Sequence, residues 1–68
     1  MSWWFKRKPL FIVREADGGA EIMRFYIDNA SKVTKILKRR YRTGKLLNQH
    51  VSIHHKDQTI AILNLTYM

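Results

Sequence analysis

The sequence contains no cysteine, one proline and three glycines among its 68 residues. Without cysteine, the chain has no disulfide bond, no thiolate nucleophile and no cysteine-based zinc site. No apolar run approaches the roughly 18 residues of a membrane span, and the N-terminus lacks the apolar core and cleavage site of a signal peptide. We therefore expect a cytoplasmic protein that does not enter the membrane.

Acidic residues are also scarce. Five Asp and Glu stand against 13 Lys and Arg, which gives a net charge of +8, and no acid occurs between Asp28 and Asp57. Such an imbalance favours an anionic partner, which can be nucleic acid, an acidic protein surface or lipid headgroups.

The length and the apolar content of 46% are those of one small globular domain. We expect an aromatic and basic N-terminal arm, residues 1–9, followed by a single domain, residues 10–68. The arm combines Trp3, Trp4 and Phe5 with three consecutive cations. We interpret its aromatic residues as a plug at the edge of the core, with base stacking, groove insertion and contact with a membrane interface as alternatives.

Two runs rich in β-branched and aromatic residues, 10–13 and 21–27, flank a sequence that can form a tight turn. A turn at residues 17–18 would make a β-hairpin that pairs Ile12 with Met23. One face of the hairpin would hold Leu10, Ile12, Met23, Phe25 and Ile27. The other would hold Phe11, Val13, Ile22, Arg24 and Tyr26.

Oxygen-bearing side chains then precede a helical pattern over residues 31–42, and Gly44 provides its stop. Residues 46–54 and 59–67 read as two further strands. The sequence thus predicts an α+β fold of order β-β-α-β-β, with one amphipathic helix packed on an antiparallel sheet. The last strand is apolar on both faces over residues 60–65, which suits a central position in that sheet.

A single helix leaves the second face of a four-stranded sheet uncovered. We expect that face to carry Phe11, Ile22 and Tyr26 beside Asn48, His50, Ser52 and His54. A second copy of the chain in a homodimer, a partner protein or stacked bases would cover it.

The predicted helix has an apolar stripe and an opposite face that is wholly cationic. The stripe consists of Ala30, Val33, Ile36, Leu37 and Tyr41. The cationic face consists of Lys32, Lys35, Lys38, Arg39 and Arg42, with Lys45 and Arg40 at its margin.

The cationic face contains five like-charge pairs three or four residues apart. Their repulsion destabilises the helix by about 1 to 2.5 kcal/mol in total. A polyanion would offset that repulsion. We therefore interpret the chain as a non-enzymatic nucleic-acid-binding protein whose helix contacts phosphates. The alternatives are a small regulator or inhibitor that binds an acidic surface of a partner protein, and a cationic face that serves only for solvation.

Three histidines occur at positions 50, 54 and 55. His50 and His54 would share a strand face about 13 Å apart, too far to hold one ion together. The sequence therefore predicts no metal site and no cofactor. A metal-free ribonuclease that uses two histidines and a lysine is a further alternative, for which Asp57 is the sole carboxylate near the histidines in sequence.

Overall fold

The computed structural model describes residues 8–67, which form four strands and one helix. The elements are β1 (Leu10–Glu15), β2 (Glu21–Tyr26), α1 (Ala30–Arg42), β3 (His50–His55) and β4 (Gln58–Asn64), with a final 3₁₀ turn (Leu65–Tyr67). The predicted α+β class and β-β-α-β-β order are confirmed. The expected roles of Trp3, Trp4 and Phe5 concern positions outside the described residues.

The four strands form one antiparallel sheet in the order β2-β1-β3-β4. Helix α1 packs on one face of it through Val33 and Leu37, which are fully buried. The core consists of Phe11, Val13, Val33, Leu37, Leu46, Val51, Ile53 and Leu65. Within residues 8–67 the other sheet face has no covering layer, and Tyr26 on it is 66% exposed.

The first hairpin has a different register from the predicted one. Its loop spans five residues, 16–20, and the backbone has a positive φ at Gly19 instead of at residues 17–18. Ile12 consequently pairs with Arg24, and Val13 pairs with Met23. Because side chains alternate along a strand, this shift of one residue exchanges the two faces of β1.

The contents of the open sheet face change accordingly. Phe11, predicted to lie there, is buried beneath the helix, and Ile22 sits at a bulge in β2 and packs against the core. The prediction for Tyr26, Ser52 and His54 is correct. Tyr26 follows the inward-facing Phe25 and is 66% exposed. Ser52 and His54 pair with residues of β1 that alternate with the buried Phe11 and Val13. His50 lies on the same face of β3, and Asn48 precedes that strand. The open-face partners of Ser52 and His54 in β1 are Arg14 and Ile12.

Strand β4 lies at an edge of the sheet, so the predicted central position is wrong. Ile60 and Ile62, two of the apolar residues on which that prediction rested, are 42% and 72% exposed. The β3–β4 hairpin closes through Lys56 and Asp57, both with positive φ, as in a type I′ turn. This tight connection places β4 beside β3, and β1 already occupies the other side of β3.

Helix α1 begins and ends at the predicted signals. The Asn29 side chain accepts a hydrogen bond from the backbone N–H of Lys32 at 3.1 Å and caps the N-terminus. At the other end Gly44 has a φ of +79°, the left-handed conformation that terminates many helices. Both signals are local in sequence, which is why the helix was predictable.

Candidate nucleic-acid interface

A groove of about 500 Å³ lies along one flank of α1, beside the edge strand β2. Its lining consists of Phe25, Lys35, Ile36, Arg39, Arg40, Thr43 and Lys45. Phe25 and Ile36 are half-buried and form its floor, whereas the four cations are exposed and form its rim. We call this feature the cationic groove.

Helical spacing places four of these side chains on the same flank. Arg39 follows Lys35 by four residues, and Arg40 follows Ile36 by four, so each pair is stacked along the helix. Ile36 belongs to the apolar stripe, and its row therefore lies next to the sheet. Phe25 completes the floor from β2.

Lys45 lies at the groove because backbone hydrogen bonds at the end of the helix turn the chain back. The Lys45 N–H donates to the Arg40 carbonyl at 2.9 Å, and the Gly44 N–H donates to the Tyr41 carbonyl at 3.2 Å. This pattern, with a left-handed glycine, is the Schellman motif. It turns the chain back so that Lys45 joins the last turn of α1.

The four rim cations have no internal counterions among residues 8–67. The ion pairs in that part of the chain are Lys8–Asp28, Arg24–Glu21 and Lys32–Asp28. None of them includes Lys35, Arg39, Arg40 or Lys45. No carboxylate belongs to the groove lining either, so the charged side chains of the groove are all positive.

Lys32, a predicted phosphate contact, forms an ion pair at the surface. Its ammonium nitrogen lies 2.7 Å from Asp28 Oδ2, and Lys8 approaches the other oxygen at 3.8 Å. The hydrogen bond from Lys32 lowers the pKa of the Asp28 carboxyl, and the charges of Lys32 and Lys8 lower it further. Lys32 also lies near the N-terminus of α1, away from the groove.

Lys38 and Arg42 do not belong to the groove lining. They line a smaller depression of about 210 Å³ together with Tyr41, Leu65 and Thr66. The structure therefore distributes the six predicted contact residues over three places. Lys35, Arg39 and Lys45 meet at the groove, Lys38 and Arg42 face the 3₁₀ turn, and Lys32 pairs with Asp28.

Two groove residues have a larger part in the structure than the sequence indicated. The angular position of Arg40 falls within the apolar arc, at the margin of the predicted cationic face. In the structure that position brings Arg40 to the same groove as Phe25. The useful signal was the pair Ile36 and Arg40, four residues apart on the edge of the stripe. Phe25 carried no recognisable signal, because its role depends on β2 lying next to this flank.

Each histidine has a partner within the sheet. His54 bonds through Nε2 to Ser52 Oγ at 2.8 Å and through Nδ1 to Thr59 Oγ1 at 3.2 Å. His50 Nε2 lies 3.1 Å from Asn64 Nδ2. His55 Nδ1 lies 3.0 Å from the Leu10 carbonyl oxygen. These contacts connect each imidazole to a neighbouring residue or strand of the sheet.

Over residues 8–67 there is no cluster of three or more His, Cys, Asp or Glu side chains arranged to hold a metal ion. In the same part of the chain, no helix has both the length and the apolar character required to cross a bilayer.

Comparison of the chain with protein-family models, curated proteins and solved structures finds no match in any of the three. The functional interpretation therefore depends on the chemistry of the cationic groove.

Proposed function

We propose that this protein binds nucleic acid non-catalytically through the cations of α1 and Lys45. The observation that carries the proposal is the cationic groove, where four positive side chains meet without a carboxylate. A nucleic-acid backbone is a polyanion that such an array can contact, and neutralising its phosphates releases condensed counterions. Binding of this kind would take place in the cytoplasm.

Interaction with the helix dipole explains the positions of only some of these cations. Arg39, Arg40 and Arg42 lie in the last turn, where cations interact favourably with the helix dipole. That interaction falls off within one turn. It does not account for Lys35 in the middle of α1 or for Lys45 beyond its end, whereas a bound phosphate backbone accounts for both.

The salt dependence of binding measures how many phosphates are contacted. Apart from Lys32, which pairs with Asp28, the four rim cations with Lys38 and Arg42 make six candidate contacts. Six contacts give a log-log slope of about −5 on duplex DNA or about −4 on a single strand. We expect slopes in this range when oligonucleotide affinity is measured by fluorescence anisotropy at several salt concentrations.

The double substitution Lys35→Gln with Arg39→Gln tests the proposal. We expect it to weaken oligonucleotide binding roughly tenfold and to reduce the slope by about 1.4 to 2, because two phosphate contacts are lost. The control is Lys56→Gln, which removes one positive charge at the β3–β4 turn, outside the groove. Salt-insensitive binding, or equal losses in the double variant and the control, would contradict the proposal.

An acidic surface on a partner protein is the alternative anion. A small regulator or inhibitor would bind it with the same cations, so mutation alone does not separate the two ligands. Affinity capture with and without nuclease does. Direct nucleic-acid binding predicts that nuclease releases the captured material, and retention of one specific protein after nuclease treatment would favour the regulator.

A further inference from the structure

The cationic groove contains an apolar floor that a phosphate backbone alone does not use. Phe25 contributes an aromatic ring and Ile36 an aliphatic side chain, both half-buried between the rim cations. In a duplex the bases are stacked inside, and the backbone that faces a protein is anionic and hydrated. A floor of this composition is complementary to the flat apolar face of an unpaired base.

The dimensions of the groove agree with one small ligand. Its volume of about 500 Å³ lies within the range of roughly 300 to 1,000 Å³ for small-molecule sites. A duplex would instead lie across the convex outer surface of α1 and would need no recess. Four cations around one recess can contact the phosphates of an inserted nucleotide and of the nucleotides that flank it in the strand.

We infer that the cationic groove holds one unpaired nucleotide of a single-stranded nucleic acid. The base lies against Phe25 and Ile36, and the flanking phosphates contact Lys35, Arg39, Arg40 and Lys45. This inference rests on the proposed nucleic-acid binding and specifies its ligand as a single strand.

The groove lining also bears on the choice between RNA and DNA. Its one hydroxyl group, on Thr43, donates to the carbonyl oxygens of Arg39 and Arg40 at 3.0 and 3.3 Å. The Thr43 proton is therefore committed to the end of the helix, and its oxygen can at most accept one hydrogen bond from a ribose 2′-hydroxyl, which gives only a small preference for RNA. Single-stranded RNA and DNA of the same sequence should bind within a few-fold of one another.

The test compares Phe25→Leu with Tyr26→Leu in the full chain. Leucine keeps an apolar side chain at position 25 but removes the ring, and base–aromatic stacking is large enough for about a tenfold loss of single-strand affinity. Tyr26 is the adjacent aromatic residue on the opposite face of the sheet, so its substitution should leave affinity within twofold. Affinities are measured for a 12-nucleotide single strand, as RNA and as DNA, and for a 12-base-pair duplex.

We expect the wild type to prefer both single strands, and Phe25→Leu to lose that preference with its duplex affinity unchanged. Equal or tighter duplex binding, an unaffected Phe25→Leu variant, or a larger loss in Tyr26→Leu would overturn the inference. Those outcomes leave the proposed function standing, provided that Lys35→Gln with Arg39→Gln still weakens binding. Absence of any oligonucleotide binding would overturn both.

A second measurement uses the wild-type protein and does not depend on the folding of a variant. Adenosine monophosphate and inorganic phosphate are each used to displace the labelled single strand. The nucleotide should compete at a several-fold lower concentration, because its base adds contacts with the apolar floor. Equal competition would identify a site for the phosphate group alone and would overturn the inference.

Discussion

The backbone N–H of Lys45 donates a hydrogen bond to the carbonyl oxygen of Arg40 at 2.9 Å, so the two residues are joined across the turn that ends α1. Leu46 donates to the same carbonyl at 3.1 Å and is buried in the core. The helix end thus connects one rim cation, Lys45, to another, Arg40, and anchors both to the core. This link depends on the left-handed backbone at Gly44.

Replacing Gly44 should affect both stability and binding. A Cβ at this position would meet no atom within 4 Å, so Gly44→Ala introduces backbone strain without a steric clash. At a φ of +79° we expect a loss of about 1 to 2 kcal/mol in the free energy of unfolding, measured by denaturant titration. Oligonucleotide affinity should fall as well, because Lys45 loses its fixed position.

The control for Gly44→Ala is Gly18→Ala in the β1–β2 loop. The φ of Gly18 is not positive, and a Cβ there would approach only the flexible end of Glu15, at 3.3 Å. We expect little change in either measurement. A loss of stability at position 18 equal to that at position 44 would contradict this account of the helix end.

Two lysines of α1 should contribute unequally to binding. Lys32 already has Asp28 as its counterion at 2.7 Å, whereas Lys35 lies at the groove and forms no ion pair within residues 8–67. Lys35→Gln should therefore reduce affinity several-fold and the salt slope by about 0.7 to 1. Lys32→Gln should change both by less. The two variants have the same net charge, so equal effects would indicate that only the total charge matters.

Acidification should weaken the contact between Asp28 and its two lysines. Hydrogen bonding to Lys32, and then the charges of Lys32 and Lys8, keep the pKa of Asp28 below its ordinary value. Since the folded-state pKa is the lower one, this contribution is fully present above the unfolded pKa of about 3.9 and is lost as the pH falls through the folded value. The free energy of unfolding, followed from pH 6 downward, should decrease less in Asp28→Asn than in the wild type.

Asp17→Asn is the control for this pH dependence. Asp17 lies in the β1–β2 loop and belongs to none of the ion pairs in residues 8–67. Its variant should lose stability on acidification as the wild type does. Identical acid profiles for Asp28→Asn and Asp17→Asn would contradict a specific contribution from Asp28.

Homodimer formation through the open sheet face would be sensitive to Ile62. This side chain lies on the open face of β4 and is 72% exposed. A lysine there would leave the core intact but place a charge in such an interface. We expect Ile62→Lys to abolish concentration-dependent dimerisation in light scattering, and Leu47→Lys, at a more exposed position before β3, to preserve it. A wild-type protein that stays monomeric at all concentrations would remove the dimer hypothesis.

Predictability differed between the helix and the sheet. The helix follows from the 3.6-residue spacing of Val33 and Leu37 and from end signals within a few residues of it. The predicted register of the first hairpin was wrong because its loop has five residues and not two. A difference of one residue in register reverses which side of β1 is buried. The apolar pattern of β4 likewise did not distinguish an edge strand with exposed isoleucines from a central one.

By itself, the sequence determined the order of elements, the ends of α1 and the presence of uncompensated cations along it, because these depend on contacts between residues close in the chain. Only the tertiary structure decided which cations act together. Packing of α1 beside β2 placed Phe25 and Arg40 in one groove and left Lys38 and Arg42 outside it. The turn at Gly44 brought Lys45 to the same groove. Such placements depend on how strands pair and on which flank of the helix meets the sheet edge, and neither is encoded in the spacing of one segment.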